Sequence, residues 1–256
     1  MIGIIGAMPE ELAAILAAIE VDEIVELGGR RYHRGHYAPR AERVDDRRDA
    51  PEGGEPVVAV VSRIGKVAAA TTAAILIARF QPRAIVMTGL AGAVDPRISI
   101  GDIVIADRLI QHDLDARPLF PRHEVPLLGI AELPADLALS DRLAAAAARF
   151  VPPAEVVALG ITAPRVWRGL VASGDQFFAS LEAIAQLRTL VPGAVAVEME
   201  GAAVAQVCHE HGVPFAVARV ISDTADHTAA LDFARFLAEA CGPYARALVE
   251  GALAVR

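Results

Sequence analysis

Short runs of apolar, largely β-branched residues alternate along the chain with longer stretches rich in alanine and leucine. The short runs lack a regular alternation with polar residues, which is typical of strands buried on both faces. They predict strands at Ile2–Ile5, Val57–Val61, Ala84–Met87, Ile103–Ile105, Gly169–Ala172, Ala194–Val197 and Pro214–Val220. The longer stretches predict helices near residues 10–20, 66–79, 136–150, 179–190, 200–211 and 232–254.

The order of these elements predicts an α/β fold with helices on both sides of a central sheet. Residues 24–37 mix polar and apolar side chains around Gly28 and Gly29, which is consistent with a hairpin. Residues 38–56 are rich in charged residues, proline and glycine. We interpret that segment as a solvated surface extension, with a regulatory or partner-binding loop as the alternative. No repeat and no other boundary is evident, so residues 1–256 are interpreted as one domain.

Composition narrows the class of protein further. Because 54% of the 256 residues are hydrophobic and 22% are charged, burial can offset the entropy lost on folding. The formal net charge of −8 argues against nucleic acid and membrane surfaces as partners. Cys208 and Cys241 form neither a zinc spacing nor a disulfide framework. The first residues lack the basic segment of a secretory signal, and the alanine-rich runs are too short to span a bilayer. We therefore expect a cytoplasmic protein.

Glycines and polar residues follow directly after several predicted strands. In an open parallel sheet, ligands bind outside the carboxyl ends of the strands. If these strands are parallel, the segments that follow them meet at one edge of the sheet. That edge would then carry glycines, carboxylates, two phenylalanines and a methionine. The segments are residues 6–11 (GAMPEE), 88–92 (TGLAG), 173–178 (SGDQFF), 198–200 (EME) and 221–223 (ISD).

Each of these residues also has a purely structural interpretation. Glu11 suits the positive end of a helix dipole, and Ser222 with Asp223 suits a turn or a helix cap. The two phenylalanines suit the core. Glu198 and Glu200 are harder to explain, because residues two apart on a strand point the same way. Two buried carboxylates on one side are costly unless something binds them.

Common cofactor and catalytic motifs do not occur in the chain. Gly3 and Gly6 resemble the start of a dinucleotide fingerprint, but Pro9 stands where a third glycine would be needed. No P-loop, HExxH or GxSxG motif is found, and the seven histidines form no metal-binding set. The sequence therefore points to neither a metal nor a nucleotide cofactor.

Several stretches together resemble the 5′-methylthioadenosine/S-adenosylhomocysteine nucleosidases of the purine nucleoside phosphorylase superfamily. They run from one end of the chain to the other in the order found in that family. GAM-x-EE, VEME and ISD are specific in combination, whereas any one alone would be weak. The stretches are IGIIGAMPEEL (2–12), IGKVAAA (64–70), TGLAGAVDP (88–96) with GDIVIAD (101–107), SGDQFF (173–178), VEMEGAAVAQVC (197–208) and RVISDTAD (219–226).

The resemblance implies a nucleoside phosphorylase-like domain with a central mixed sheet, acting as a homodimer on a small molecule without a cofactor. The implied reaction is hydrolysis of the N-glycosidic bond between adenine and a 5′-modified ribose. In this family pattern Glu11 would activate the attacking water, and Asp223 would protonate the leaving adenine at N7. Glu200 would bind the ribose hydroxyls.

Further roles around the substrate follow from the same resemblance. Phe177 would stack on adenine, while the backbone of Phe178 would recognise the edge of the base. Ser222 and Arg219 would orient Asp223. The other implied substrate-binding residues are Met199 beside the ribose, Met8, Ile64 and Phe233 in an apolar pocket for the 5′ group, and Ala91, Gly92 and Glu198.

Two departures from the family pattern leave the substrate open. Leu90 replaces the small polar residue that is common in the family's TGSAG stretch. Residues 111–129 differ from the best-known bacterial pattern, in which this loop helps form the 5′ pocket across a dimer interface. The candidate substrates are methylthioadenosine, S-adenosylhomocysteine, 5′-deoxyadenosine and an aminofutalosine-type nucleoside.

Two other functions fit the same fold. A phosphorolytic purine nucleoside phosphorylase would need cations or a nest of amides for its phosphate. Near the presumed nucleophile we expect Glu11 and Leu90 and no arginine, so a phosphate would meet a carboxylate. A non-catalytic purine-nucleoside-binding protein would keep Phe177 and Glu200 but lack a working acid or base, whereas Glu11 and Asp223 are both present.

Overall fold

The computed structural model describes residues 1–37, 54–224 and 229–253. Most of the predicted surface extension, residues 38–53, lies outside the described residues. Its last two residues, Glu55 and Pro56, belong instead to a strand, Glu55–Val61.

Strands and helices alternate along the described residues, as predicted. The strands are β1 Ile2–Gly6, β2 Ile19–Leu27, β3 Arg30–Tyr37, β4 Glu55–Val61, β5 Ala84–Ala93, β6 Ile103–Gln111, β7 Glu132–Pro134, β8 Val166–Ser173, β9 Ala194–Glu198 and β10 Phe215–Asp223. The helices are α1 Pro9–Leu16, α2 Lys66–Phe80, α3 Leu137–Ala148, α4 Ala154–Val157, α5 Leu181–Leu190, α6 Gly201–His211, α7 Ala229–Glu239 and α8 Cys241–Leu253. Every strand predicted from the apolar pattern is present at its expected place, and every predicted helical stretch is helical over most of its described residues.

The boundaries differ from prediction in a few places. The first helix ends at Leu16 rather than near residue 20, because β2 begins at Ile19. The predicted helix 232–254 is two helices that separate at Ala240. The predicted hairpin is confirmed by the antiparallel pairing of β2 with β3. Its turn residues Gly28 and Gly29 have φ of 56° and 69°, the left-handed values that favour glycine in a tight hairpin turn.

One mixed sheet carries all of these strands. Its order is β10-β6-β8-β9-β5-β1-β4-β3-β2, with β7 paired to β6. Strand β10 also pairs with β5, so β5, β10, β6, β8 and β9 close into a ring of five strands. The predicted α/β class with a central mixed sheet is therefore confirmed.

The condition that all of these strands are parallel is not met. β1, β5 and β10 are parallel to one another and β8 is parallel to β9, but β9 runs antiparallel to β5. The two antiparallel strands overlap only at their tips, where Gly92 pairs with Val197 and Ala93 with Ala196. Because the overlap is only two residues long, the carboxyl ends of both strands still lie side by side.

Helices cover both faces of the sheet and produce two large apolar layers. Helices α1, α3, α7 and α8 pack on one face, and α2 and α6 pack on the other. Along β1, Ile4 points into the first layer and Ile5 into the second. Burial on both faces explains why the strands read as continuous apolar runs.

No helix within residues 1–37, 54–224 and 229–253 combines the length and the apolar character needed to cross a membrane. Cys208 and Cys241 are both buried free thiols.

Close strand packing makes one glycine of the hairpin irreplaceable. A Cβ at Gly35 would lie 2.0 Å from the carbonyl oxygen of Glu20 on β2. We expect Gly35→Ala to lower the free energy of unfolding by about 3 kcal/mol, since backbone must move to admit the methyl group. The matched control is Gly242→Ala in α8, where the new Cβ would lie 3.4 Å from that of Ala14. Urea denaturation should show less than about 1 kcal/mol of change in the control, and equal losses in both variants would contradict this account.

Candidate active site

A single cleft forms where the ends of β1, β5, β8, β9 and β10 come together. It encloses about 640 Å³ of space, part of it open to solvent. The structure brings to it every predicted site residue except Arg219, namely Met8, Glu11, Ile64, Ala91, Gly92, Phe177, Phe178, Glu198, Met199, Glu200, Ser222, Asp223 and Phe233. Leu90, expected beside the presumed nucleophile, also lines the cleft, whereas prediction missed three lining residues, Ala7, Gln176 and Val197. Each is next in sequence to a predicted site residue, and only that proximity could have indicated it.

Glu11 sits in the first turn of α1, where Pro9 provides the start of the helix. Its Oε2 accepts hydrogen bonds from the backbone N–H groups of Ala7 at 2.6 Å and Met8 at 3.0 Å. Its Oε1 accepts one from Leu90 N–H at 3.1 Å, which ties the helix to β5. Burial raises the pKa of Glu11 and outweighs the opposing effects of Arg219 and these hydrogen bonds.

Gly89 is the reason that Glu11 can come so close to Arg219. A Cβ at this position would lie 2.2 Å from Arg219 Nη1 and 2.7 Å from Glu11 Oε1. The two charged side chains therefore cross directly over the glycine. Glycine is needed at position 89 because a side chain would not fit, and not because the backbone turns there.

Arg219 corrects two expectations. It does not line the cleft but lies buried beneath it, on the central strand β10. Its Nη2 donates to Glu198 Oε2 and to Met87 Sδ, and lies 3.6 Å from Glu200 Oε2. The expectation of no arginine near the nucleophile position is therefore wrong. Burial alone would lower the pKa of Arg219, but attraction to Glu198, Glu200 and Glu11 raises it.

Glu198 uses its acceptor positions on the protein itself. Oε1 accepts from Ser173 Oγ and from Gly201 N–H at 3.0 Å. Oε2 accepts from Gly201 N–H at 2.8 Å, from Glu200 N–H at 3.1 Å and from Arg219. A carboxylate offers roughly four lone-pair sites, so these donors saturate it. Glu198 thereby caps α6 and fixes the backbone of the residue next to it.

Ser173 completes the cap of α6 and was not predicted as a site residue. Its Oγ accepts from Ala202 N–H at 2.8 Å while it donates to Glu198. It opens the SGDQFF stretch, so its position in a quoted motif was the only signal.

Glu200 is buried like Glu198 but is bound much less completely. Its Oε1 accepts from Gly65 N–H at 2.9 Å. Burial and the neighbouring charge of Glu198 raise the pKa of Glu200 to about 7, against the lowering effect of Arg219. This carboxyl group keeps acceptor capacity that faces the cleft.

Asp223 ends β10 and is reached through a change of strand register. The pairing of β10 with β5 shifts between Ile221 and Asp223, so that Asp223 lies opposite Gly92. Ser222 Oγ donates to Asp223 Oδ2 at 2.8 Å. Asp223 is buried, 3% exposed, and lines the cleft.

The two phenylalanines divide between cleft and core. Phe177 is 46% exposed and meets Phe233 edge-on, with ring centroids 5.8 Å apart. Phe178 is 8% exposed and packs edge-on against His112 at 5.3 Å. The core interpretation therefore suits Phe178, whereas Phe177 is available to a ligand.

Among the described residues, no group of three or more His, Cys, Asp or Glu side chains is arranged to hold a metal ion. The negative charges of Glu11, Glu198 and Glu200 are offset by the guanidinium of Arg219.

Comparisons with known proteins agree with this geometry. Residues 1–254 match the family model of the phosphorylase superfamily. The chain is similar to a 5′-methylthioadenosine/S-adenosylhomocysteine nucleosidase from Neisseria meningitidis in complex with methylthio-immucillin-A, with 30% identity, 99% of each chain covered and a TM-score of 0.83. It is also similar to such a nucleosidase from Colwellia psychrerythraea with adenine bound, at 32% identity, 98% and 93% coverage and a TM-score of 0.82. Futalosine hydrolase of Helicobacter pylori matches at 32% identity, 98% and 96% coverage and a TM-score of 0.80.

The buried ion pair yields a test that does not depend on function. Glu198→Gln should lower the free energy of unfolding by about 3 kcal/mol, because it leaves the buried charge of Arg219 under-compensated. Arg219→Met should cost a similar amount, and the double variant clearly less than the sum. Glu26→Gln, which breaks the exposed pair with Arg31, is the control and should cost less than about 1 kcal/mol. Strict additivity in urea denaturation would show that the buried pair is not coupled.

Proposed function

Because this chain belongs to the phosphorylase superfamily, we propose that it hydrolyses the N-glycosidic bond of 5′-substituted adenosines. The products are adenine and the 5′-modified ribose, and the proposed substrates are 5′-methylthioadenosine, S-adenosylhomocysteine and 5′-deoxyadenosine. One observation carries the proposal: Glu11, Glu200 and Asp223 come from three distant parts of the chain and line one cleft.

Cleavage of a ribosyl bond develops positive charge on the sugar, as in glycoside hydrolysis. The carboxylates that line the cleft can stabilise that positive charge, because preorganised charges in a site without water stabilise a transition state strongly. The departing adenine must gain a proton, which we assign to Asp223. Its hydrogen bond from Ser222 supports this, since it fixes one carboxyl oxygen and so the direction of the other.

Glu11 is assigned the activation of water. A general base works best when its pKa is near the working pH, and burial raises the pKa of Glu11 toward that range. Its Oε1 accepts only the Leu90 N–H among its backbone donors, whereas Oε2 accepts two. Oε1 is therefore the oxygen with an acceptor direction left for a water molecule.

The remaining groups match the other parts of such a nucleoside. Glu200, with spare acceptor capacity, is assigned to the ribose hydroxyls, and the half-exposed Phe177 to stacking on adenine. Met8, Ile64 and Phe233 form an apolar wall of the cleft. An apolar wall favours a thioether over a phosphate, because a desolvated phosphate without a cation is costly.

Hydrolysis rather than phosphorolysis is supported by the charges around Arg219. An arginine is present, contrary to expectation, but it is buried, bonded to Glu198 and near Glu200 and Glu11. A phosphate would therefore meet a group of carboxylates, and Nη2 of Arg219 is already bonded to Glu198. A non-catalytic nucleoside-binding role is disfavoured by the presence of Glu11 and Asp223 in the same cleft.

A second substrate has a specific observation in its favour. The match to futalosine hydrolase is as good in identity and coverage as those to the nucleosidases. A futalosine-type nucleoside therefore belongs in any substrate panel. From the family resemblance we also propose one domain over residues 1–256, a homodimer, no cofactor and a cytoplasmic location.

The reaction is tested by adenine release from 5′-methylthioadenosine in phosphate-free buffer and with added phosphate. We expect equal rates in both, because water is the proposed nucleophile. Chromatography should identify the free 5-methylthioribose as the second product. Strict dependence on phosphate, with a ribose 1-phosphate product, would instead make the protein a phosphorylase. Tight binding without adenine release would make it a nucleoside-binding protein.

The assigned roles predict different kinetic signatures. Asp223→Asn should lower kcat by about 10²–10⁴-fold with little change in KM, since an amide cannot donate the proton. Phe177→Ala should instead raise KM by about tenfold, the loss of roughly 1.4 kcal/mol of stacking. Leu137→Ala, which removes an exposed apolar side chain on α3, is the control. Similar small effects from both site variants would mean that the site is assigned wrongly.

A further inference from the structure

A group of three charged side chains lies beside the cleft without lining it. We propose that Lys66, Asp113 and Asp175 form a clasp that positions the loop bearing Phe177 against the ribose end of the cleft. They are positioning residues that act on substrate affinity through their neighbours. The inference rests on the proposed function for its kinetic part only.

The clasp joins three segments that are remote in sequence. Lys66 Nζ lies 2.6 Å from Asp113 Oδ1. The backbone N–H of Asp175 donates to Asp113 Oδ2 at 3.0 Å, and the backbone N–H of Lys66 donates to Asp175 Oδ1 at 2.8 Å. The start of α2, the segment after β6 and the segment after β8 are thereby closed into one cycle of bonds.

Both ends of the substrate site connect directly to this cycle. Gly65, the residue before Lys66, donates its N–H to Glu200, the proposed ribose ligand. Phe177, the proposed base-stacking residue, comes two residues after Asp175. A Cβ at Gly65 would lie 3.1 Å from Asp175 Oδ1, so the two loops are already in contact. The clasp therefore sets the spacing between the ribose-binding and base-binding groups.

The ion pair in the clasp is more sheltered than the pair of Arg31 with Glu26 on the hairpin. The side chains of Lys66 and Asp113 are 16% and 33% exposed, whereas those of Arg31 and Glu26 are 61% and 76% exposed. Burial tends to raise the pKa of Asp113, but the bond and charge of Lys66 hold it below its usual value. A sheltered pair is screened less by salt than an exposed one.

A second bond of Lys66 extends the clasp to the helix that carries the ribose ligand. Lys66 Nζ donates to Gln111 Oε1 at 3.1 Å, and Gln111 Nε2 donates to Gln206 Oε1 at 2.7 Å. Gln206 belongs to α6, whose first turn follows Glu200. The orientation of α6 and that of the aromatic loop, residues 176–180 with Phe177, are thus linked through one lysine.

The aromatic loop depends on this anchor because it has little regular structure. Residues 176–180 lie between β8 and α5 and belong to neither helix nor strand. If the anchor is lost, the loop must be ordered when substrate binds, and that entropic cost weakens binding. The chemical step uses Glu11 and Asp223, which the clasp does not touch, so its rate should change little.

The kinetic test compares Asp113→Asn with Asp141→Asn. Asp141 pairs with Arg168 on the surface of α3 and takes no part in the site. Asp113→Asn should raise KM for 5′-methylthioadenosine about tenfold and change kcat less than about threefold, and Lys66→Met should do the same. The double variant should be no worse than the poorer single one, because both break one unit. A fall in kcat equal to the rise in KM, or no effect on KM, would overturn the clasp.

A substrate-free measurement separates failure of the clasp from failure of the proposed function. Hydrogen exchange of the unliganded protein should speed up in residues 63–66 and 173–178 of the Asp113→Asn variant. The amide has one acceptor oxygen for the two donors, Lys66 Nζ and the Asp175 N–H, and it lacks the charge that holds Lys66. Exchange in those segments should be unchanged in Asp141→Asn. Unchanged exchange in Asp113→Asn would refute the clasp even in an active enzyme. Faster exchange in a protein that releases no adenine would support the clasp and reject the function.

Discussion

The site depends on one buried cation. Arg219 has no exposure to solvent, and its charge is held by Glu198, with Glu200 and Glu11 close by. Without that charge, three carboxyl groups could not share a buried space at a reasonable cost. The three carboxyl groups around the guanidinium differ in how completely they are hydrogen-bonded. Glu198 is saturated by protein donors, whereas Glu200 and Glu11 keep acceptor capacity, as the roles proposed for them require.

The sheet makes that arrangement possible by an unusual route. Two sets of parallel strands run in opposite directions, and their carboxyl ends meet because β5 and β9 overlap only at the pairs Gly92–Val197 and Ala93–Ala196. Backbone ends from both sets therefore surround one space. The close crossing of Glu11 and Arg219 over Gly89 requires the same compactness, because any side chain there would push the two charges apart.

Much of this could be predicted from sequence, and the failures have definite causes. Apolar runs located the strands, and the segments after them located the cleft, because burial and chain direction leave a local signature. The burial of Arg219 gives no local signal in the sequence, since an arginine is buried only when partners far away in sequence surround it. The direction of β8 and β9 could not be predicted either, because a strand buried on both faces has the same apolar pattern in either orientation. Ser173 and Asp113 were missed because each acts through hydrogen bonds to remote segments rather than by its own chemistry.

The closed ring of β5, β10, β6, β8 and β9 has a mechanical consequence. A sheet with a free edge can splay there, but in this ring each strand is held by hydrogen bonds on both sides. We therefore expect the floor of the cleft to move less than its rim, so that motions admitting the proposed nucleoside fall to the connecting segments. Substrate breadth should then evolve by changes in those rim segments, while Glu11, Asp223 and Arg219 stay at fixed separations.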